Sequence, residues 1–357
     1  MNNLQKLYQT YKQSPWLDNL SRDMIEDGRL QQFINDGVRG VTSNPTILEK
    51  AISASSLYDN QIHELAGQGM SAEDIYWRLV IDDIKAASEL FKPIWEESNG
   101  LDGYISLEVS PKLARDTGLT IEQGRQLWKE VNTPNLMIKV PATEPGIPVV
   151  GTLLSEGVNV NVTLIFSLDH YEQVVAAHIS SHQSDANNKS RSVASFFVSR
   201  VDTEVDQRLE AIGTDEALAL RGKTAIAQAR LAYGIFLNNF AKAAAEDSSG
   251  PAVQRLLWAS TSTKNPSYDD LLYVTNLIAP HSINTLPEAT IAGIIDHLPE
   301  GAPSITVDDI RDAQETFKAI AAVGIDIDDV SRVLEEQGVE KFQSSFDSVI
   351  AAIQTKI

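Results

Sequence analysis

Lys139 lies inside an apolar run, Leu136-Met137-Ile138-Lys139-Val140-Pro141. A short apolar run between turn signals reads as a buried strand, and lysine is almost never fully buried without a partner. Burial disfavours the ammonium form of an amine, and a free amine attacks carbonyl carbon to give a Schiff base. Covalent amine catalysis is therefore one use of Lys139; the other is a lysine snorkelling from a strand end to solvent. Polar residues recur in or beside other apolar runs: Asp18, Asn44, Glu108, Asn161, Thr163, Ser195 and Arg200. A carboxylate, an amine, a hydroxyl and amides gathered in one place can handle a carbonyl substrate. Each also has a plain structural use. Asp18 has the form of a turn residue or helix cap, and Asn44 before Pro45 that of an N-cap with proline at the first helical position. Glu108 reads equally as a solvated strand end. Asn161 and Thr163, two apart, share one strand face, where internal hydrogen bonds would satisfy them. Arg200 has Asp202 and Glu204 within pairing distance in sequence.

The elements that would position these residues alternate. Strand-like runs cover 38–42, 104–109, 136–140, 159–166, 193–201, 256–260 and 282–286, and Pro15-Trp16-Leu17-Asp18 is a candidate first member. Helical stretches lie between them. Ser71 with Asp74, Thr120 with Gln123, and Thr306 with Asp309 have the form of helix starts. Gly324 reads as the end of the third helix, and Gly338 as the end of one more, which carries Val330, Val333 and Leu334. About eight strand–helix units predict an α/β fold, a (β/α)8 TIM barrel with additional N- and C-terminal helices. A doubly wound open sheet is the alternative, but no dinucleotide fingerprint or P-loop accompanies it. Residues 1–357 are expected to form a single domain with a helical C-terminal extension from about 296. The polar stretch 246–251 reads as a connection within that domain. On such a barrel the C-terminal strand ends line one mouth, where active sites form.

Bulk properties narrow the chemistry. The chain has 357 residues, 43% hydrophobic, enough for a large core. It carries 29 basic against 49 acidic residues, a net charge of -20, which argues against nucleic acid or an anionic membrane as partner. An anionic substrate would need local basic groups to overcome that field. There is no cysteine, so disulfides, thiolate metal sites and cysteine nucleophiles are excluded. His178 and His182 have a metal-compatible spacing, but no glutamate stands between them, and they read as part of a solvated helix end; no metal site is assigned. The N-terminus lacks the apolar core of a signal peptide, and no apolar run spans a bilayer. A cytoplasmic protein is the expectation.

Five segments, in order, resemble one family. Gly40-Val41-Thr42-Ser43-Asn44-Pro45-Thr46-Ile47 is similar to the T-[ST]-N-P signature of transaldolases. Leu136 to Thr143 resembles their Schiff-base lysine motif, and Asn161 to Ser167 their next strand. Val193 to Arg200 and Ser282 to Pro287 continue the likeness, which spans roughly residues 15–295. The chain resembles the longer bacterial subgroup of this class I family.

The resemblance implies a cofactor-free aldol transfer of the non-oxidative pentose phosphate pathway on a (β/α)8 barrel. Lys139 matches the family's nucleophile, which attacks the ketone of fructose 6-phosphate or sedoheptulose 7-phosphate. Asp18 matches the aspartate that takes the C4 hydroxyl proton, Glu108 the proton-shuttling glutamate, and Thr163 the hydroxyl that orients a water. Asn44, Asn161 and Ser195 fall where substrate hydroxyls are held, and Arg200 where the terminal phosphate binds. The family often places an arginine after the seventh strand; here Lys264 is the substitute, with Ser260 or Ser262 beside it. The three-carbon unit would pass to glyceraldehyde 3-phosphate or erythrose 4-phosphate. A fructose 6-phosphate aldolase-like lyase is the alternative. Those relatives are shorter, with glutamine and tyrosine at the positions of Glu108 and Phe197. Sugar phosphates are the implied partners. Dimers occur in the family, so a homodimer is the oligomeric expectation, although no interface is legible. The acidic helices after about Asp296 are expected on the barrel exterior, without chemistry.

Overall fold

Eight parallel strands close into a barrel in sequence order: β1 (Ser14–Leu17), β2 (Val41–Thr42), β3 (Ile105–Glu108), β4 (Leu136–Pro141), β5 (Val160–Ile165), β6 (Ser192–Phe197), β7 (Gln254–Ala259) and β8 (Ile283–Leu286). Helices separate every consecutive pair, and β1 pairs with both β2 and β8 to complete the ring. The computed structural model describes residues 1–357 except 184, 186 and 247–249; the middle of the polar stretch 246–251 thus lies outside the described residues. Every residue of the eight strands is buried. This is expected where a parallel sheet is filled on the inside and covered by helices on the outside, and it explains why the strands read as apolar runs. The barrel with added terminal helices is the predicted fold. No described helix is long and apolar enough to cross a membrane.

The two ends of the barrel differ. At the N-terminal end Asp102, just before β3, accepts from Ser14 Oγ at 2.8 Å, Trp16 Nε1 at 3.1 Å, Arg39 Nε at 2.9 Å and Arg255 Nη1 at 3.1 Å. Burial opposes its charge, yet Arg255 and Arg39 with these hydrogen bonds hold its carboxyl below the usual range. An ionic plug therefore closes this end, and the chemistry is left to the other.

Several boundaries differ from expectation. The strand expected at 193–201 stops at Phe197, and Ser199–Ile212 is a helix, so Arg200 belongs to a helix start. The helix expected to open at Thr120 opens at Thr117, capped by Asp116, whose carboxylate accepts from Leu119 N. Thr120 sits inside it and bonds back to the Asp116 carbonyl at 2.6 Å, a local hydroxyl–backbone bond that competes with capping. Ser71 and Thr306 do cap their helices, and Gly324, at φ +90°, takes the left-handed conformation that follows the helix Val307–Ala322.

The last helix departs most. It runs from Ile327 to Gln354, straight through Gly338. The helix Val307–Ala322 packs outside the barrel as expected, with Asp309 paired to Arg230 of the helix Thr224–Glu246 at 3.3 Å. Ile327–Gln354 instead crosses the C-terminal mouth. Ser331 Oγ donates to the Phe166 carbonyl beyond β5 at 2.8 Å. Phe342 reaches Lys139 in β4, and Ser345 Oγ meets Thr46 Oγ1, beyond β2, at 2.8 Å. Gly338 makes this path possible, because a Cβ there would lie 3.0 Å from Leu164 Cδ2.

Candidate active site

Lys139 is 4% exposed and Glu108 is 5% exposed, which rules out both the snorkelling lysine and the solvated strand end. They are register partners on β3 and β4, and Asn161 of β5 is the next partner along. Lys139 Nζ lies 3.2 Å from Glu108 Oε2 and donates to the Ser43 carbonyl at 3.0 Å. The Phe342 ring stands 5.9 Å from the amine. Burial raises the Glu108 carboxyl above its ordinary range; Lys139 and Arg200 oppose the shift, and Asp18 adds to it. A carboxyl raised in this way is better suited to giving a proton as well as taking one.

Asn161 and Ser195 form a chain inside the barrel. Ser195 Oγ donates to Asn161 Oδ1 at 2.7 Å, and Asn161 Nδ2 donates to Ser106 Oγ at 2.9 Å. Because β3 and β5 are not neighbours in the ring, these bonds must cross the interior. The Thr163 hydroxyl, two residues above Asn161 on the same face, is buried and has no hydrogen-bond partner among the described residues. β5 carries an irregularity between Val162 and Ile165, where Leu164 adopts φ +58°. Bulges of this kind gather near active sites, where they re-aim side chains.

Asp18 follows β1 and caps no helix; Ser21 precedes the next one. Its Oδ1 accepts from Thr42 Oγ1 at 2.8 Å, and Thr42 Oγ1 lies 2.6 Å from Thr285 Oγ1. Burial raises the Asp18 carboxyl, against the pull of Lys139, the Thr42 bond, Arg200 and Lys264. Asn44 does cap a helix: its Oδ1 accepts from Ile47 N at 3.0 Å, while its Nδ2 has no intramolecular partner among the described residues. Asp18 lines a cavity of about 690 Å³ at the mouth, together with Asn19, Lys50 and Glu288.

Arg200 does not pair with Asp202 or Glu204. Asp202 accepts from Ala225 N at 2.7 Å and Tyr273 Oη at 2.9 Å, and Glu204 from Arg208 Nε at 2.8 Å. The Arg200 guanidinium stands 5.3 Å from the Phe197 ring centroid and has no ion pair among the described residues. Lys264 Nζ donates to Ser262 Oγ at 2.6 Å, and Ser260 Oγ, at a residue with φ +57°, meets Ser199 Oγ at 2.9 Å. Burial and Arg200 lower the Lys264 ammonium. The two cations are therefore close enough to repel, an arrangement suited to one anion.

All nine residues singled out in the sequence fall on the C-terminal side of the barrel. Sequence reading missed Thr42, Ser106 and Phe342. Ser106 was detectable, two residues before Glu108 on the same strand face; Phe342 left no signal, being one apolar residue of an amphipathic helix. The two histidines are not at a solvated end: His178 is fully buried, its ring 4.4 Å from that of His182, and burial followed by His182 pushes it down to about 3. Among the described residues no three His, Cys, Asp or Glu side chains gather as a metal site.

The family model for transaldolase/fructose-6-phosphate aldolase matches residues 15–353. A transaldolase of Mycolicibacterium smegmatis is 46% identical over 355 residues, covering 96% of this chain and 95% of the relative. Transaldolases of Mycobacterium tuberculosis and Mycobacterium marinum are 46% and 47% identical, covering 94% and 96% of the chain and 92% and 94% of their own lengths. With one barrel, one buried amine–carboxyl pair and similarity over nearly its whole length, the chain belongs to the transaldolase/fructose-6-phosphate aldolase family.

Proposed function

We propose that the protein catalyses transaldol transfer between sugar phosphates, with Lys139 as the covalent carrier. The observation that supports this best is the buried contact between Lys139 Nζ and Glu108 Oε2. The neutral amine adds to the ketone carbon of fructose 6-phosphate or sedoheptulose 7-phosphate. Glu108, through a water oriented by the Thr163 hydroxyl, gives a proton to the departing carbinolamine oxygen, and a protonated imine forms. Asp18 takes the proton of the C4 hydroxyl as the C3–C4 bond breaks, and the bonding electrons flow into the imine to give an enamine. An aldose phosphate leaves. Glyceraldehyde 3-phosphate or erythrose 4-phosphate then enters, the enamine carbon attacks its aldehyde, and Asp18 returns the proton to the new hydroxyl. Water releases the product ketose from Lys139. This is a step of the non-oxidative pentose phosphate pathway.

The surrounding residues serve these steps. Asn44 and Asn161 hold substrate hydroxyls, with Ser195 fixing the Asn161 amide. Arg200 and Lys264 bind the terminal phosphate. Glu108 and Phe197 favour transfer over release of the three-carbon unit, since the lyase relatives carry glutamine and tyrosine there. Phe342 over the amine helps exclude water from the enamine.

Borohydride reduction in the presence of fructose 6-phosphate, followed by peptide mass mapping, tests this reading. The expected product is one three-carbon adduct on Lys139, with little free dihydroxyacetone in the absence of an acceptor. An adduct on another lysine, or active protein that cannot be trapped, would overturn it.

A further inference from the structure

The C-terminal helix brings a charge to the mouth that the reaction above does not use. Gly338 seats the helix so closely that a Cβ there would be 3.6 Å from Arg200 Nη1. Lys341 follows three residues later, on the same helix face, and its neighbour Phe342 stands over Lys139. The Lys341 ammonium is lowered by burial and by repulsion from Arg200, Lys50 and Lys264. Lys50 belongs to the helix Pro45–Ala54 and lines the mouth cavity with Asp18.

Four cations thus converge from four separate elements: a helix after β2, a helix start after β6, the loop after β7, and the C-terminal helix. Among the described residues none of the four forms an ion pair. In a chain of net charge -20, unpaired carboxylates to neutralise them are plentiful elsewhere on the surface. Asp18 and Glu108 offset part of the Arg200 charge, and Asp18 part of the Lys264 charge; the repulsion that remains among the cations disfavours the unliganded protein, and a dianion placed among them relieves it.

We infer that Lys341 is a phosphate-binding residue: the C-terminal helix delivers its ammonium to the terminal phosphate of the sugar, beside Arg200 and Lys264. A lysine on a flexible four-carbon stem supplies a point charge without fixed geometry. That suits a phosphate whose distance from Lys139 changes with the length of the sugar. The inference rests on the phosphate reading of Arg200 and Lys264.

The test uses the full chain with Lys341→Gln and Lys341→Arg, and inorganic phosphate as probe. In Lys341→Gln the melting temperature without phosphate stays equal or rises, because a repelling charge is gone. Phosphate protection against melting should weaken about tenfold in apparent affinity. The ratio of kcat/KM for fructose 6-phosphate to that for fructose should fall by about the same factor, and Lys341→Arg should restore most of both. Unchanged phosphate affinity in Lys341→Gln overturns the inference. So does a lowered melting temperature with equal losses on both sugars, which would mark Lys341 as a residue that only docks the helix. Borohydride trapping of Lys341→Gln separates the two levels: an adduct on Lys139 keeps the transfer reading intact whatever Lys341 does.

Discussion

Glu108 and Lys139 occupy the same level of adjacent parallel strands, and their carboxylate and amine meet at 3.2 Å in a site that solvent barely reaches. Parallel register places their Cα atoms side by side, and the closed barrel points both side chains the same way. Neither charge is comfortable alone in such a seat, and each is the other's nearest counter-charge. Burial holds the Glu108 carboxyl above the ordinary glutamate range, against the pull of Lys139.

Glu108→Gln keeps the shape and removes the proton shuttle. Single-turnover trapping should slow by a factor of about 10² or more, with the far-ultraviolet circular dichroism unchanged. Its stability profile has a defined sign. A carboxyl whose folded pKa is raised binds its proton at higher pH when folded than when unfolded. Stability therefore falls as pH rises from the unfolded value near about 4.3 through the raised folded value. Urea midpoints measured across that window should decline less steeply in Glu108→Gln than in the parent.

Thr42 sets how readily Asp18 ionises. Its hydroxyl donates to Asp18 Oδ1 at 2.8 Å and favours the charged form, against the burial that raises the carboxyl. Asp18 must be ionised to take the C4 proton, so its titration forms the acid limb of the rate profile. That limb should lie above the unperturbed aspartate value of about 3.9. In Thr42→Val the supporting bond is lost and the limb moves to higher pH; kcat/KM measured against pH shows the displacement, and an unmoved limb would remove Asp18 from the role.

Gly338→Val tests how the last helix is seated. In an exposed helix, glycine is the worse residue by several tenths of a kcal/mol. Here even a Cβ would press on Leu164 Cδ2 at 3.0 Å, and valine adds two branches. Overpacking of this kind costs about 1–3 kcal/mol. The expected outcome is a lower melting temperature together with a larger share of free dihydroxyacetone, because Phe342 is displaced from the amine. Normal partition between transfer and release would show that the helix does not guard the site.

Asp102→Asn separates folding from chemistry. It removes the carboxylate that Arg255 and Arg39 share at the N-terminal end and leaves Arg255 buried without its counter-charge. Breaking a buried pair costs about 3–5 kcal/mol, so the urea midpoint should drop well below that of the parent. At temperatures where the variant remains folded, its kcat should match the parent, since the plug lies at the opposite end from Lys139.

Much of this was legible in the chain because a parallel barrel buries its strands on both faces, so they appear as apolar runs in which a polar residue is conspicuous. Lys139, Glu108, Asn161, Thr163 and Ser195 stand out for that reason. Asn44 showed its cap by the proline that follows. Arg200 reads as part of a strand because nothing in Val198-Ser199-Arg200 announces the turn to helix. The path of the last helix is hidden for a related reason. Its amphipathic pattern declares one buried face, but not whether that face meets the barrel wall or its mouth, and Gly338 looks like an end until the closeness of Leu164 gives it another purpose.

The helix that crosses the mouth follows the whole barrel in the sequence, so it is made after it. All eight strands and every residue assigned to the transfer are complete by Leu286, whereas Phe342 and the docking contacts of that helix come later in the sequence. On the ribosome, at about 5–20 residues per second, the barrel can close several seconds before its cover is available. For that interval a nascent chain holds its amine open to water and to any cellular aldehyde. Covering the amine therefore waits on the docking of one helix, a step separate from formation of the barrel beneath it.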